Sequence, residues 1–251
     1  MAEQVLEQQK EEIIKEMISA GLHYGHKRTT IHPRARYFII KNYEEIATID
    51  LAETLKAFSS ALSFIKEIIN KNGSILFAAT SPSAKKAIRL LAEKHDFPYA
   101  DERWLGGTLT NFKTLINRIK YMKSLEEQKG TDGWEKYTKK EKINLEKELN
   151  QLQKKFAGLR NMVKLPDALF IVDTGLHDTA VFEARRLNVP IIGILDTDDD
   201  PTLIDYPIPA NDSAKSSIEY ILGLVEKEIQ NAKTTKLLEE AEIDSGEPDE
   251  S

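Results

Sequence analysis

The 251-residue chain contains no cysteine. Disulfides, thiolate metal sites and cysteine nucleophiles are therefore excluded. Long apolar runs are also missing: Ala168 to Val172 and Ile191 to Leu195 are among the longest, and neither could span a bilayer. The first dozen residues carry Glu3, Glu7, Glu11 and Glu12 against Lys10 alone, unlike a signal or transit peptide. A cytoplasmic protein is expected, and 41% hydrophobic content suffices for a proper core.

A second kind of absence concerns charge. Between Met17 and Tyr43 there is no acid, while Lys27, Arg28, Arg34, Arg36 and Lys41 stand beside His23, His26 and His32. Residues 237–251 hold seven acids and no base, so the formal charge of -6 becomes +1 once they are set aside. Residues 103–164 carry fifteen Lys plus Arg against seven Asp plus Glu. Two basic segments on a near-neutral body point to phosphate contacts.

The second opens with the most informative stretch, Glu102-Arg-Trp-Leu-Gly-Gly-Thr-Leu-Thr-Asn-Phe-Lys113. Gly106 and Gly107 let backbone amides approach a partner closely. Thr108, Thr110 and Asn111 add neutral donors, Trp104 offers a flat face, and Arg103 and Lys113 bracket the turn. Such a corner suits holding phosphate and contains no nucleophile or base. The plain alternative is an ordinary Gly-Gly loop ahead of a helix capped by Thr108 or Thr110.

The periodicity predicts a helix from Val5 to Ser19 ended by Gly21, then short strands at Tyr37 to Ile40 and Ile46 to Ile49. Asp50 is a natural cap for a helix over Leu51 to Lys71. The chain then alternates: strand Ser74 to Ala79, helix Pro82 to His95 capped by Ser81 or Ser83, strand Pro98 to Ala100, strand Ala168 to Val172, helix Leu176 to Leu187, strand Pro190 to Leu195, and helix Asp212 to Gln230. Unbroken apolar strands between amphipathic helices predict a doubly wound α/β body with a mainly parallel sheet, flavodoxin-like and three-layered. Its two parts span 1–107 and 161–231.

Residues 108–160 hold no strand candidate. Phe112, Leu115, Ile119 and Met122 face Leu145, Leu149, Leu152, Phe156 and Leu159 as two helical stripes joined around Gly130 to Gly133. This predicts an inserted antiparallel coiled-coil hairpin, projecting as an arm. Residues 232–251 read as an acidic, disordered tail.

Other chemistry is sparse. The loop Thr80-Ser-Pro-Ser-Ala-Lys-Lys86 has neither dinucleotide nor P-loop glycines; Lys85, Lys86 and Arg89 are further candidates for meeting phosphate. The run Asp196-Thr-Asp-Asp-Asp-Pro201 follows an apolar strand, so Asp196 and Asp200 are candidates for holding Mg²⁺, with Asp178, Asp205 and Asp212 as possible companions. Ordinary turn chemistry explains the same run. No cofactor is otherwise expected.

Four blocks carry a resemblance. Ala20-Gly-Leu-His-Tyr-Gly-His-Lys27, the stretch from Arg103 to Lys113, Leu165-Pro-Asp-Ala-Leu-Phe-Ile-Val-Asp173 and Asp205-Tyr-Pro-Ile-Pro-Ala-Asn-Asp212 resemble, in order, the bacterial type of the small-subunit ribosomal protein S-two family. The resemblance implies a structural protein that binds small-subunit rRNA at the junction of head and body, touches neighbouring ribosomal proteins and helps dock the S-one protein, with no membrane and no small-molecule substrate. The expected RNA-binding residues are His26, Lys27, Arg28, Arg34, Arg36, Arg103, Trp104, Gly106, Gly107, Thr108, Thr110, Asn111 and Lys113. A metal-dependent phosphatase or nucleotide-binding enzyme using Asp196 to Asp200 is the main alternative, and a purely protein-binding helical adaptor a third.

Overall fold

The computed structural model describes residues 2–43, 45–129 and 131–244. Helix α1, Ala2–Ala20, ends at Gly21, whose φ of 82° lets the amides of Gly21 and Leu22 turn back to the carbonyls of Ile18 and Met17. A small antiparallel sheet follows, with β1 (Tyr24–Lys27), β2 (Ile39–Tyr43) and β3 (Ile46–Ile49) in the order β1-β3-β2. Strand β1 lies inside what reads as a basic loop. The expected strand at Tyr37 shifts to Ile39, because Pro33–Phe38 forms a 3-10 turn whose first residue is Pro33.

Asp50 caps α2, Leu51–Asn70, as its sequence position predicts, accepting from the amides of Ala52 and Glu53 at 2.9 and 3.4 Å. The alternation then gives β4 (Ile75–Ala78), α3 (Lys85–His95) and β5 (Tyr99–Ala100). Helix α3 starts three residues later than expected and without a side-chain cap: Ser81 and Ser83 face each other at 3.3 Å. Helices α4 (Phe112–Lys129) and α5 (Lys139–Phe156) come next, then β6 (Ala168–Val172), α6 (Asp178–Arg186), β7 (Ile191–Leu195), β8 (Tyr206–Pro209) and α7 (Lys215–Asp244). Strand β8 escapes a period-two reading because two of its four residues are prolines; it occupies a sheet edge, where proline is tolerated.

The five strands β5-β4-β6-β7-β8 pair in parallel throughout. Taken in chain order within this sheet, the pattern is that of flavodoxin-like folds, with the switch point between β4 and β6. Side chains alternate between two cores, so every position in β6 and β7 is buried and no polar alternation survives in their sequence. Phe77, Phe170, Val172, Ile192 and Ile208 pack with α2, α3 and α7. Leu76, Leu169, Ile171 and Ile191 pack on the other face with residues of α4, α5 and α6.

In α4 and α5, most residues of the predicted stripes are buried; Phe112 and Leu145 are half-buried, and Leu125, outside the predicted set, joins them. Leu115, Ile119, Met122 and Leu125 meet Leu149, Leu152 and Phe156, continuous with the second core. Gln153 and Arg160 donate to Glu126 at 2.8 and 2.7 Å, and Lys129 pairs with Glu146 at 3.1 Å. Helix α7 runs on into the span expected to be a tail. It continues to Asp244, pinned where Ala232 is buried, where Lys233 donates to the His95 carbonyl at 3.0 Å and where Lys236 donates to the Asn70 carbonyl at 2.9 Å. The rest of the expected tail, 245–251, lies outside the described residues.

Candidate nucleic-acid interface

The Gly-Gly loop leaves the carboxyl end of β5 and runs into α4. Its start is fixed by the Arg89 guanidinium on buried Asp101, with Nε 2.6 Å from Oδ2, and by Lys85 at 3.5 Å from Glu102. Lys85 and Arg89, candidates for meeting phosphate, thus brace the loop internally. At its end the Asn111 amide bonds the Gly107 carbonyl at 2.9 Å.

What fills the loop is the main departure from expectation. The amides of Gly107, Leu109 and Thr110 do converge on an anion, and that anion is the carboxylate of Glu183 on α6, at 2.7, 3.0 and 3.0 Å. The Thr110 hydroxyl donates to it at 3.0 Å and the Trp104 indole N–H at 3.1 Å. Burial pushes the Glu183 pKa up, but the hydrogen bonds from Thr110, Gly107, Trp104 and Leu109 outweigh it and hold the carboxyl below its ordinary range. Trp104 is 8% exposed and Thr108 2%. An indole so placed does not offer its face to a base, which corrects the stacking role expected of Trp104. Thr108 likewise turns inward, donating to the Leu105 carbonyl at 2.6 Å. The capping alternative is not met by Thr108 or Thr110 either: the Thr108 hydroxyl bonds within the loop, the Thr110 hydroxyl donates to Glu183 on α6, and the residue before α4 is Asn111.

The two glycines divide the work. Gly107 has φ of 91°, and a Cβ there would stand 3.1 Å from Asn111 Cβ; Gly106 has open space around it. Arg103, Asn111 and Lys113 are exposed on the outer side of the loop.

The N-terminal basic segment also splits. Lys27, Arg28 and Arg36 are exposed and, with Arg103 and Lys113, form no ion pair among the described residues. Arg34 instead donates to Asp200 at 2.9 Å and to the Thr202 hydroxyl at 2.7 Å. His26 turns its Nδ1 toward Asp196 (3.0 Å) and Asp198 (3.2 Å), and its amide donates to the Thr197 hydroxyl at 2.9 Å. Arg34 and His26 therefore tie β1 and the turn before β2 to the loop after β7.

These contacts also dissolve the expected Asp196 to Asp200 pair. Asp200 caps the turn at Pro201–Leu203, accepting from the Thr202 amide at 3.0 Å, while Asp196 faces His26. Asp205 accepts from the Ile191 amide at 2.9 Å. The carboxylates that converge are Asp173, Asp199 and Asp212, at the ends of β6, β7 and β8, with ligand atoms within 4.8 Å of one another; His26, Asp196 and Asp198 form a second such group. Either donor set has the composition to take a divalent cation. Burial first, then the neighbouring carboxylates of Asp173, Asp196 and Asp199, push Asp212 up to about 9. Burial likewise pushes Asp199 up to about 6, against the bond from the Thr174 hydroxyl at 2.7 Å.

Glu183 was legible only in part. It shares the helix face of Ala180 and Ala184, both fully buried, so its spacing marks it as inward-facing; nothing local identifies the loop it meets.

Comparison with known proteins adds the family. A family description, Ribosomal protein S2, matches residues 17–232. Small ribosomal subunit protein uS2 of Mycolicibacterium gilvum is 42% identical over 212 residues, 84% of this chain and 76% of that protein. The same-named proteins of Nocardia farcinica and Mycobacterium leprae are 41% and 40% identical, each over 84% of this chain and over 74% and 76% of their own lengths. With such relatives matched along most of its length, the chain belongs to the ribosomal protein S2 family: it is a small-subunit ribosomal protein, a structural component and not an enzyme.

Proposed function

We propose that this protein docks on folded small-subunit rRNA at the junction of head and body through two cationic surfaces, one at β1 and the turn before β2, the other at the loop between β5 and α4. The observation that carries this reading is the set Lys27, Arg28, Arg36, Arg103 and Lys113: exposed, and without ion pairs among the described residues. A basic side chain left unpaired beside others of its sign is disfavoured in the free protein and gains on meeting phosphate, with release of counterions. Asn111 and Gly106 add a polar contact and room for close approach. Gly107, Thr110, Thr108 and Trp104 act from behind by shaping the loop, and His26 and Arg34 by fixing the small sheet. Shape and backbone charge dominate recognition, because the exposed cations of both surfaces suit phosphate and the bases of folded RNA helices are screened in a deep, narrow groove.

Helices α4 and α5, in this reading, form a coiled-coil arm inserted in the body, whose Lys-rich outer faces brace it against RNA. In the same reading the protein also touches neighbouring ribosomal proteins and helps dock the S-one protein, in the cytoplasm as part of the ribosome.

Reversal of the loop cations tests the reading. Arg103→Glu with Lys113→Glu is expected to keep the unfolding temperature within roughly 3 °C, the scale of exposed substitutions, and to exclude the protein from assembled small subunits. Normal incorporation of that variant refutes the RNA assignment; exclusion together with unchanged, salt-independent RNA affinity favours the purely protein-binding adaptor.

A further inference from the structure

We infer that Glu183 is the positioning residue of the RNA-facing loop: its buried carboxylate takes, from inside the protein, the place in the Gly-Gly amide nest that a phosphate would otherwise occupy, and so leaves Arg103, Asn111 and Lys113 on the outer side. The inference rests on the RNA reading for what those three residues meet.

Several features of the site carry it. Glu183 is 4% exposed and accepts five hydrogen bonds, two on Oε1 from Gly107 and Trp104 and three on Oε2 from Leu109 and from the amide and hydroxyl of Thr110. Five donors more than fill the roughly four lone-pair sites of a carboxylate, and every one belongs to residues 104–110. No lysine, arginine or histidine pairs with it among the described residues, so its charge is balanced by loop dipoles alone. The loop has no strand or helix of its own between Ala100 and Phe112. Its conformation is set by the salt-bridged Asp101 at one end, the Asn111 amide on Gly107 at the other, and Glu183 in the middle. Helix α6 in turn is seated on the sheet through Ala180, Val181 and Ala184. The carboxylate therefore transmits the rigidity of the sheet to a segment that cannot order itself.

A filled nest has a consequence for recognition. A phosphate approaching the inner amides meets a negative charge already hydrogen-bonded there, so RNA contacts fall to the outer cations and not to the backbone. A structurally required glutamate that merely filled space would not couple to those cations.

The test uses the full chain and Glu183→Gln, with Glu183→Asp as the conservative variant should the first not fold. Amide exchange at Gly107, Leu109 and Thr110 is expected to accelerate about tenfold or more, the loss of one charge-assisted bond, while Phe77, Phe170 and Ile192 of the sheet stay protected. Affinity for small-subunit rRNA is expected to fall about tenfold, and to fall no further when Glu183→Gln is added to Arg103→Ala with Lys113→Ala. Unaltered exchange at the three amides overturns the positioning role, as does an affinity loss that adds fully to that of the double variant. Absence of salt-dependent rRNA affinity in the unsubstituted protein overturns the RNA reading instead, and the exchange experiment registers that failure separately.

Discussion

At the scale of single residues, the carboxylates at the carboxyl edge of the sheet work against the fold, unlike Glu183. Asp212 is 4% exposed, with a hydroxyl donor, Ser213, at 3.3 Å, and four neighbouring aspartates raise its pKa further. Its folded pKa of about 9 lies above the ordinary carboxyl value, so between about pH 4 and 9 the folded state binds a proton that the unfolded state has released. Stability from this group is therefore fullest at acid pH and declines as pH rises through that window. Asp212→Asn removes the dependence, and is expected to raise the unfolding temperature at pH 8 by at least about 2–4 °C in the presence of a chelator, and by nothing at pH 4. Thermal unfolding at the two pH values decides it; an equal shift at both would show that packing, not protonation, is responsible. Glu183 has the opposite sign: its depressed pKa supplies stability above the ordinary carboxyl pKa that is lost on acidification.

At the scale of elements, the α4–α5 pair depends on one continuous apolar seam, because the outer faces are charged and solvated. Met122 is 1% exposed and belongs to the same cluster as Leu76 and Leu169 of the sheet, whereas Ile143 near the start of α5 is 45% exposed. Met122→Ala is expected to cost about 2–5 kcal/mol, and Ile143→Ala less than about 0.5 kcal/mol; chemical denaturation of both variants measures the contrast. Comparable losses would mean that the seam is not what holds the pair. The stripes were legible from spacing alone, since a helix puts residues three and four apart on one side. The start of α3 was not, because Ser81 and Ser83 face each other and leave Ala84, which has no capping side chain, at the position before Lys85.

At the scale of the whole molecule, the net charge of -6 hides the surface that matters. If Lys27, Arg28, Arg36, Arg103 and Lys113 each neutralise one phosphate, the logarithm of rRNA affinity should fall with the logarithm of salt concentration with a slope of about -4. Replacing Arg103 and Lys113 by alanine should reduce that slope by about 2. Filter binding over a salt series gives both numbers, and a slope near zero would remove the electrostatic mechanism. The slope also discriminates among residues: Arg34, held by Asp200 and Thr202, should contribute little to it.

By itself, the sequence determined the periodic parts of this protein: the parallel strands, the two helical stripes, the Asp50 cap and the segregation of charge. These follow from local geometry, in which side-chain direction repeats every 2 or 3.6 residues whatever the rest of the chain does. Only the tertiary structure decided which of the basic and acidic groups remain available. Glu183 lies 73 residues beyond Thr110, and Asp200 lies 166 beyond Arg34. A donor motif and the carboxylate that satisfies it meet only when the sheet brings α6 beneath the loop, so no reading of the loop alone could separate an amide that waits for phosphate from one already occupied.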